Sequence, residues 1–382
     1  MRRTLYGREH EDFRSAFRQF LEREAVPHTD RWEEAGLVDR SFFEAAGRAG
    51  FLGFEAPEEF GGLGVDDFRY NAVMAEEIVA TGTAGDGFTL GNDILAPYLI
   101  ELTTPEQRAR WLPGFTAGTL IPAIAMTEPT TGSDLRAIRT TARRDGDGYV
   151  LDGAKTFITN GAQADLVLVL ARTGERDGRG MSLLAVEAGT PGFTRGRPLH
   201  KIGRKAQDTA ELFFDGCRVP AANLVGEPGA GLRLVLGNLP RERLSMAVLA
   251  VAAAERALDL ALAHCRERTT FGVPLGSHQA VRFELADVHT QVGVARVYVD
   301  RCVQALVDGE LTAEEAAAAK YWTTDLQCSV IDRCLQLFGG YGYMEEYPIA
   351  RMWRDARVQR IYGGTNEIMK EVVGRAVVAP DG

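Results

Sequence analysis

The chain has 382 residues, 45% of them apolar and 25% charged, with a formal net charge of -10. That length allows two or three domains with sizeable cores, and the acidic balance argues against a nucleic-acid partner. No stretch reaches the ~18 apolar residues that span a bilayer, Met1 to His10 lacks the apolar core of a signal peptide, and the five Cys contain no C-x-x-C, so membrane insertion, secretion, a disulfide framework and a zinc site are all disfavoured and a cytoplasmic protein is expected.

The first part, residues 1–120, is predicted to be helical. Phe13, Phe17, Phe20 and Leu21 share one helix face. Ser41 with Glu44 reads as a capping box opening a helix that carries Phe42, Phe43, Ala46 and Phe51. A Gly-rich turn from Glu59 to Gly64 leads into a helix around Asp67–Val79, and Pro105 with Glu106 opens another. The pattern changes at Ile121. Val150–Thr159, Leu166–Ala171, Met181–Glu187 and Glu211–Phe214 read as short strands separated by Gly- and Asp-rich turns, giving a compact β domain over 121–230. From Gly231 to the end at 382 the chain is helical again. Leu232–Glu267 is one long run in which Pro240 marks a first turn or a kink. Gln279–Val307 follows, and then a helix that Thr312 and Glu315 cap and Gly339-Gly340 end. Shorter helices are expected at Tyr347–Gln359 and Thr365–Val378, completing a bundle of four or five members. This α–β–α order implies no function by itself.

Five segments carry chemistry. Ala125–Leu135 reads A-M-T-E-P-T-T-G-S-D-L, a turn whose hydroxyls and N–H groups suit a planar polar ring or a pyrophosphate. Alone it is equally a β-turn with Pro at its corner. Lys155–Gly161, K-T-F-I-T-N-G, alternates so that Phe157 and Thr159 share a strand face, and alone it is a strand ending in an Asn-Gly turn. Arg268–Gln279, R-T-T-F-G-V-P-L-G-S-H-Q, joins two long helices. Gln336–Gly342, Q-L-F-G-G-Y-G, is a helix C-cap. Arg360–Lys370 reads R-I-Y-G-G-T-N-E-I-M-K, and its counterpart far upstream is P-R-E-R-L at Pro240–Leu244. Lys201–Gly231 carries K-I-G-R and N-L-V-G-E but no assigned chemistry.

In this order, and over nearly the whole chain, the set resembles the acyl-CoA dehydrogenases, most closely the long-chain and isovaleryl type. The resemblance implies an α+β multi-domain fold: an N-terminal helical domain, a middle β-barrel-like domain and a C-terminal four-helix bundle, assembled as a homotetramer around FAD. It assigns Ile124, Ala125, Met126 and Thr127 to the flavin ring, with Ser133 near the pyrophosphate and the acyl-CoA. Phe157, Ile158 and Thr159 would lie against the ring. Arg268, Thr270, Phe271, His278 and Gln279 would meet the pyrophosphate of FAD in a neighbouring subunit. Gln336, Phe338, Gly339 and Gly340 would approach another subunit's FAD, and Thr365 and Glu367 are further cofactor residues. Pro240, Arg243, Tyr362 and Gly364, with Ser133, would contact the substrate.

Many members of that family place the catalytic Glu directly after the Tyr, where this chain has Gly363. Long-chain and isovaleryl members take the base instead from the Glu before an Arg on a distant helix, where Glu242 and Arg243 stand. A lone helical Glu is usually a solvated residue. Glu242 differs because Leu244, Met246, Val248 and Leu249 surround it, so burial should raise its pKa. The implied reaction is α,β-dehydrogenation of an acyl thioester. Glu242 takes the α-proton, the β-hydride goes to flavin N5, and the thioester carbonyl bonds the Gly363 N–H and a ribityl hydroxyl. An electron-transferring flavoprotein is the implied acceptor. Three alternatives stay open: an acyl-CoA oxidase, a dehydrogenase of an acyl-carrier-protein thioester, and a catalytically silent flavin-binding scaffold.

Overall fold

A computed structural model describes residues 3–83, 86–174 and 180–379. The helices in chain order are α1 (Arg8–Glu24), α2 (Thr29–Ala35), α3 (Arg40–Arg48), α4 (Phe68–Thr81), α5 (Asp86–Thr89), α6 (Ala96–Glu101) and α7 (Pro105–Thr116), then α8 (Gly231–Glu267), α9 (Gln279–Val307), α10 (Ala313–Leu337), α11 (Pro348–Ala356) and α12 (Asn366–Val378). The strands are β1 (Pro122–Ala125), β2 (Thr141–Asp145), β3 (Gly148–Thr159), β4 (Leu166–Arg172), β5 (Met181–Glu187), β6 (Phe193–Pro198), β7 (Thr209–Pro220) and β8 (Leu224–Val225), with a small β9 (Thr269–Thr270) and β10 (Val273–Pro274) ribbon. No helix among the described residues is long and apolar enough to cross a membrane.

The N-terminal helices fold around aromatic rings because the period of α1 puts Phe17, Phe20 and Leu21 on its inner face, against Trp32, Phe42 and Phe51. Ser41 is not a cap. Helix α3 starts one residue before it, at Arg40 after Asp39, and no side chain caps that end. Phe51 lies beyond the C-terminus of α3 and reaches the same core from the following turn.

The eight middle strands make one sheet in the order β6-β7-β3-β2-β4-β5-β8, with β1 parallel to β4. Strand β4 is buried from end to end. Leu166, Leu168 and Leu170 enter one core with α6 and α7, while Val167, Val169 and Ala171 enter the core on the other face. A strand covered on both faces reads as a continuous apolar run, which is why it was legible. Strands β1, β2 and β6, short or mostly exposed, carried no such signal.

Helix α8 runs through Pro240 without ending. Ala247, Ala253, Ala254, Ala257 and Ala261 give it a small-residue surface, which lets α4, α9 and α10 share one core with it. A buried ion-pair network ties the N-terminal helices to this bundle. Arg296 of α9 donates to Glu76 of α4 at 3.0 Å, and Glu76 also accepts from Arg3 and Arg14.

Candidate active site

The site begins with one turn of α8. Glu242 is only 4% exposed. Burial pushes its carboxyl up to about 7 from an ordinary 4.5, against the opposing pull of a hydrogen bond from Tyr98 and the charge of Arg243. The Tyr98 hydroxyl, on α6, donates to Glu242 Oε1 at 3.2 Å. Arg243 is also buried, and its Nε has no hydrogen-bond partner among the described residues. A buried guanidinium nitrogen left unpaired is costly.

One turn on, Met246 links the helix to the C-terminal turn. Gly363 (φ 63°) and Gly364 (φ 90°) both take the left-handed backbone that glycine tolerates best. A Cβ built on Gly363 would lie 2.1 Å from Met246 Cε and 2.6 Å from its Sδ. The space a side chain at 363 would enter is therefore filled by a thioether from α8, four residues from Glu242. Lys320 of α10 holds the turn from behind, donating to the Gly364 carbonyl at 2.7 Å and to Asn366 Oδ1 at 3.0 Å. Thr365 caps α12 through the Ile368 N–H, which leaves Glu367 exposed in its first turn. Pro240 and Tyr362 are half-buried beside this centre in sequence. Along the same face of α8, Leu249 and Ala253 line a cavity of about 110 Å³ with Ile78, Val79, Gln327 and Gln359.

A second group forms at the sheet. Ile124 and Ala125 close β1, and Met126 and Thr127 leave it beside β3. Lys155 Nζ donates to the Met126 carbonyl at 2.9 Å, and the Thr156 N–H donates to the Thr127 carbonyl at 3.0 Å. Glu128 secures the loop, accepting from Lys155 Nζ (3.0 Å) and from the N–H groups of Arg139 and Thr140. Burial pulls the Lys155 ammonium down to about 8. Simple alternation fails at Phe157, which has φ 60° at a register shift between Lys155 and Ile158. The bulge leaves Ile158 buried, Phe157 67% exposed and Thr159 half-buried. Ser133 is exposed in the turn that follows the loop.

A third group lies within the C-terminal domain. Arg268, Thr270, Gln336, Phe338, Gly339 and Gly340 all line a cleft of about 490 Å³. His278 Nε2 is 3.1 Å from Thr270 Oγ1, and Gln279 is the first residue of α9. A Cβ on Gly339 or Gly340 would meet nothing within 4 Å. Phe271 is 98% exposed with φ 52°. Every residue lining this cleft comes from the C-terminal domain, and none from the eight-stranded sheet.

The structure thus brings Met246, on the helix of Glu242, against Gly363 and joins Thr127 to the Phe157 bulge. It keeps the Arg268–Gly340 cleft apart from both as a surface of its own. Tyr98, Met246, Glu128, Lys155 and Lys320 had no role from sequence. Lys155 and Lys320 left one trace, a cation inside an otherwise apolar or uncharged run. Tyr98 left none.

Comparison with known proteins gives the family of each domain. Residues 7–119, 123–217 and 229–378 match the acyl-CoA dehydrogenase N-terminal, middle and C-terminal domains. The chain is 46% identical over 381 residues to the mitochondrial long-chain specific acyl-CoA dehydrogenase of Mus musculus, covering 99% of this chain and 88% of that protein. A crystal structure of acyl-CoA dehydrogenase from Geobacillus kaustophilus superposes with a TM-score of 0.96 at 47% identity, over 98% of this chain and 99% of that one. A glutaryl-CoA dehydrogenase from Mycobacterium smegmatis, solved in complex with FADH2, gives 0.90 at 26% identity over 99% and 96%. With all three of its domains matched in order, the chain belongs to the acyl-CoA dehydrogenase family.

Proposed function

We propose that the protein converts an acyl-CoA thioester to the trans-2-enoyl-CoA, with Glu242 as the base. One observation carries this: a desolvated carboxylate stands one helical turn from the side chain that fills the space above Gly363. A base held near neutral is matched to removing a weakly acidic proton at physiological pH.

The residues present fit FAD. The Met126–Thr127 edge and the exposed ring of Phe157 offer backbone and an aromatic face to a flavin. The open Gly339-Gly340 backbone with Arg268 offers close approach and charge to a pyrophosphate. FAD, when bound, supplies the acceptor for the two electrons that leave the β-carbon as hydride. The chain's own residues do the rest. The Gly363 N–H donates to the thioester carbonyl and stabilises the negative charge that develops on its oxygen. A Glu242 carboxylate oxygen receives the α-proton. The buried Arg243 Nε offers a further donor beside it, and the acyl chain runs along the Met246–Ala253 face of α8. The sheet residues and the Arg268–Gly340 cleft are expected to serve FAD molecules of different subunits in a homotetramer. The exposure of Phe271 and of Tyr343, 83% exposed, supports such an assembly. The expected electron acceptor is an electron-transferring flavoprotein, and the expected location cytoplasmic.

The test is Glu242→Gln. It should bind FAD and acyl-CoA yet lose turnover by about 10²–10⁴-fold, the usual contribution of a general base. Near-normal turnover rejects the assignment.

A further inference from the structure

The N-terminal domain touches the turn of α8 that carries Glu242 at several polar points. Asp93 lies in a π-helical turn, Leu90–Leu95, immediately before α6. Its carboxylate accepts from Ser245 Oγ and from Asn71 Nδ2 (2.9 Å), and its carbonyl accepts from Arg241 Nε at 3.3 Å. Arg241 also pairs with Glu55. Ser245 and Arg241 flank Glu242 on the helix, so Asp93 grips the turn on both sides of it. Five residues further, Tyr98 is fully buried and reaches Glu242 itself at 3.2 Å. Asn238, one turn before Glu242, lies close to the same hydroxyl. A π-turn inside a helical segment is a recurrent device at functional sites, and here it sets the position of α6 against α8.

We propose that Tyr98 is the positioning residue for Glu242: its hydroxyl, set in place by the Asp93 contacts and lying beside Asn238, fixes the carboxylate in one rotamer and favours its ionised form. This rests on the reading of Glu242 as the base. Tyr98 touches no substrate or cofactor in this account and acts only through Glu242. The charged and titratable groups around Glu242 are few. Tyr98 comes from α6 and Arg243 from α8 itself. Asp93 and Glu55 are engaged by Ser245 and Arg241. Lys320 of α10 is engaged by the Gly364 carbonyl and Asn366. Tyr98 is therefore the neutral donor among them, and its loss leaves burial opposed by Arg243 alone.

The experiment is anaerobic flavin reduction by a saturating acyl-CoA, followed from pH 5.5 to 9 for the FAD-loaded wild type, Tyr98→Phe, Asn238→Ala and Glu242→Gln. In the wild type the rate should rise with pH as Glu242 ionises. Tyr98→Phe keeps the ring and should retain FAD. Its acid limb, centred near 7 in the wild type, should move up by about one pH unit, so that its rate falls about fivefold at pH 7 and about tenfold at the acid end, the size of one hydrogen bond to a charged group. Asn238→Ala should shift the limb the same way by less, and it carries the test if Tyr98→Phe fails to fold. Glu242→Gln should barely reduce the flavin at any pH. An inactive Glu242→Gln beside an unmoved acid limb in the other two variants overturns the role of Tyr98 and leaves the base in place. A Glu242→Gln that reduces flavin normally overturns both.

Discussion

Replacing Glu242 by Gln should change stability as well as turnover, with a sign fixed by burial. The folded protein holds the Glu242 proton up to about pH 7, whereas an ordinary carboxyl releases it near 4.5. A group whose folded pKa is raised favours the fold below the unfolded pKa, and that advantage is lost as pH climbs through the folded value. The gap between 4.5 and about 7 is worth roughly 3 kcal/mol. Gln is neutral at every pH and escapes this loss. Its amide hydrogens lose carboxylate geometry and cost something of their own, but that cost does not vary with pH. The informative quantity is therefore the change in the wild-type-to-variant difference, which should move by about 2.5 kcal/mol in favour of Gln between pH 5 and pH 8. In a chain of this size that is a few degrees in Tm. Paired thermal scans at fixed protein and FAD concentration measure it, since either concentration would otherwise shift the melt. A difference that is the same at both pH values would mean that Glu242 is not desolvated in the folded protein, and the argument for an elevated base would fail with it.

Other consequences are equally direct. Glu242→Gln with Gly363→Glu moves the carboxylate to the turn, but the new Cβ lies 2.1 Å from Met246 Cε and φ is 63°. The thioether is the free end of a flexible side chain and can swing aside, so the strain that remains is the left-handed backbone. Activity should return in part in the double variant and further when Met246→Ala is added, and turnover of short acyl-CoAs checks this; no activity in either would show that residues 242 and 363 do not share one pocket. Lys155→Met removes one partner of a pair whose side chains are 0% and 3% exposed, which costs about 3–5 kcal/mol. It frees the Met126 carbonyl, so FAD should be lost on gel filtration while Glu242 is untouched, and full FAD retention would contradict the clamp.

Periodicity alone delivered the order of the three layers, because amphipathic helices and a doubly covered strand leave strong local patterns. Helix α9 runs over Gln279–Val307 as read, and the Thr312–Glu315 capping box is present, with the Thr312 hydroxyl accepting from the Glu315 N–H at 3.2 Å. Local chemistry failed where a competing contact decided. Ser41 lost its cap to a helix that started one residue earlier, and the Phe157 strand bulged because Lys155 is drawn inward to Glu128. That the helix of Glu242 meets the turn at Gly363 was legible only as resemblance. No local rule places a turn near residue 363 against a helix near residue 246.

The helices, most of the core strands and the family could be read from the residues directly, since these depend on side-chain period and on motifs in order. Packing in three dimensions was needed to find that Glu242 is shut away from water, that Met246 fills the space of a side chain at 363, and that Tyr98, 144 residues distant, supplies a hydrogen bond to Glu242. Burial and long-range contact are properties of how elements pack, and packing brings together residues whose separation along the chain carries no trace of their nearness.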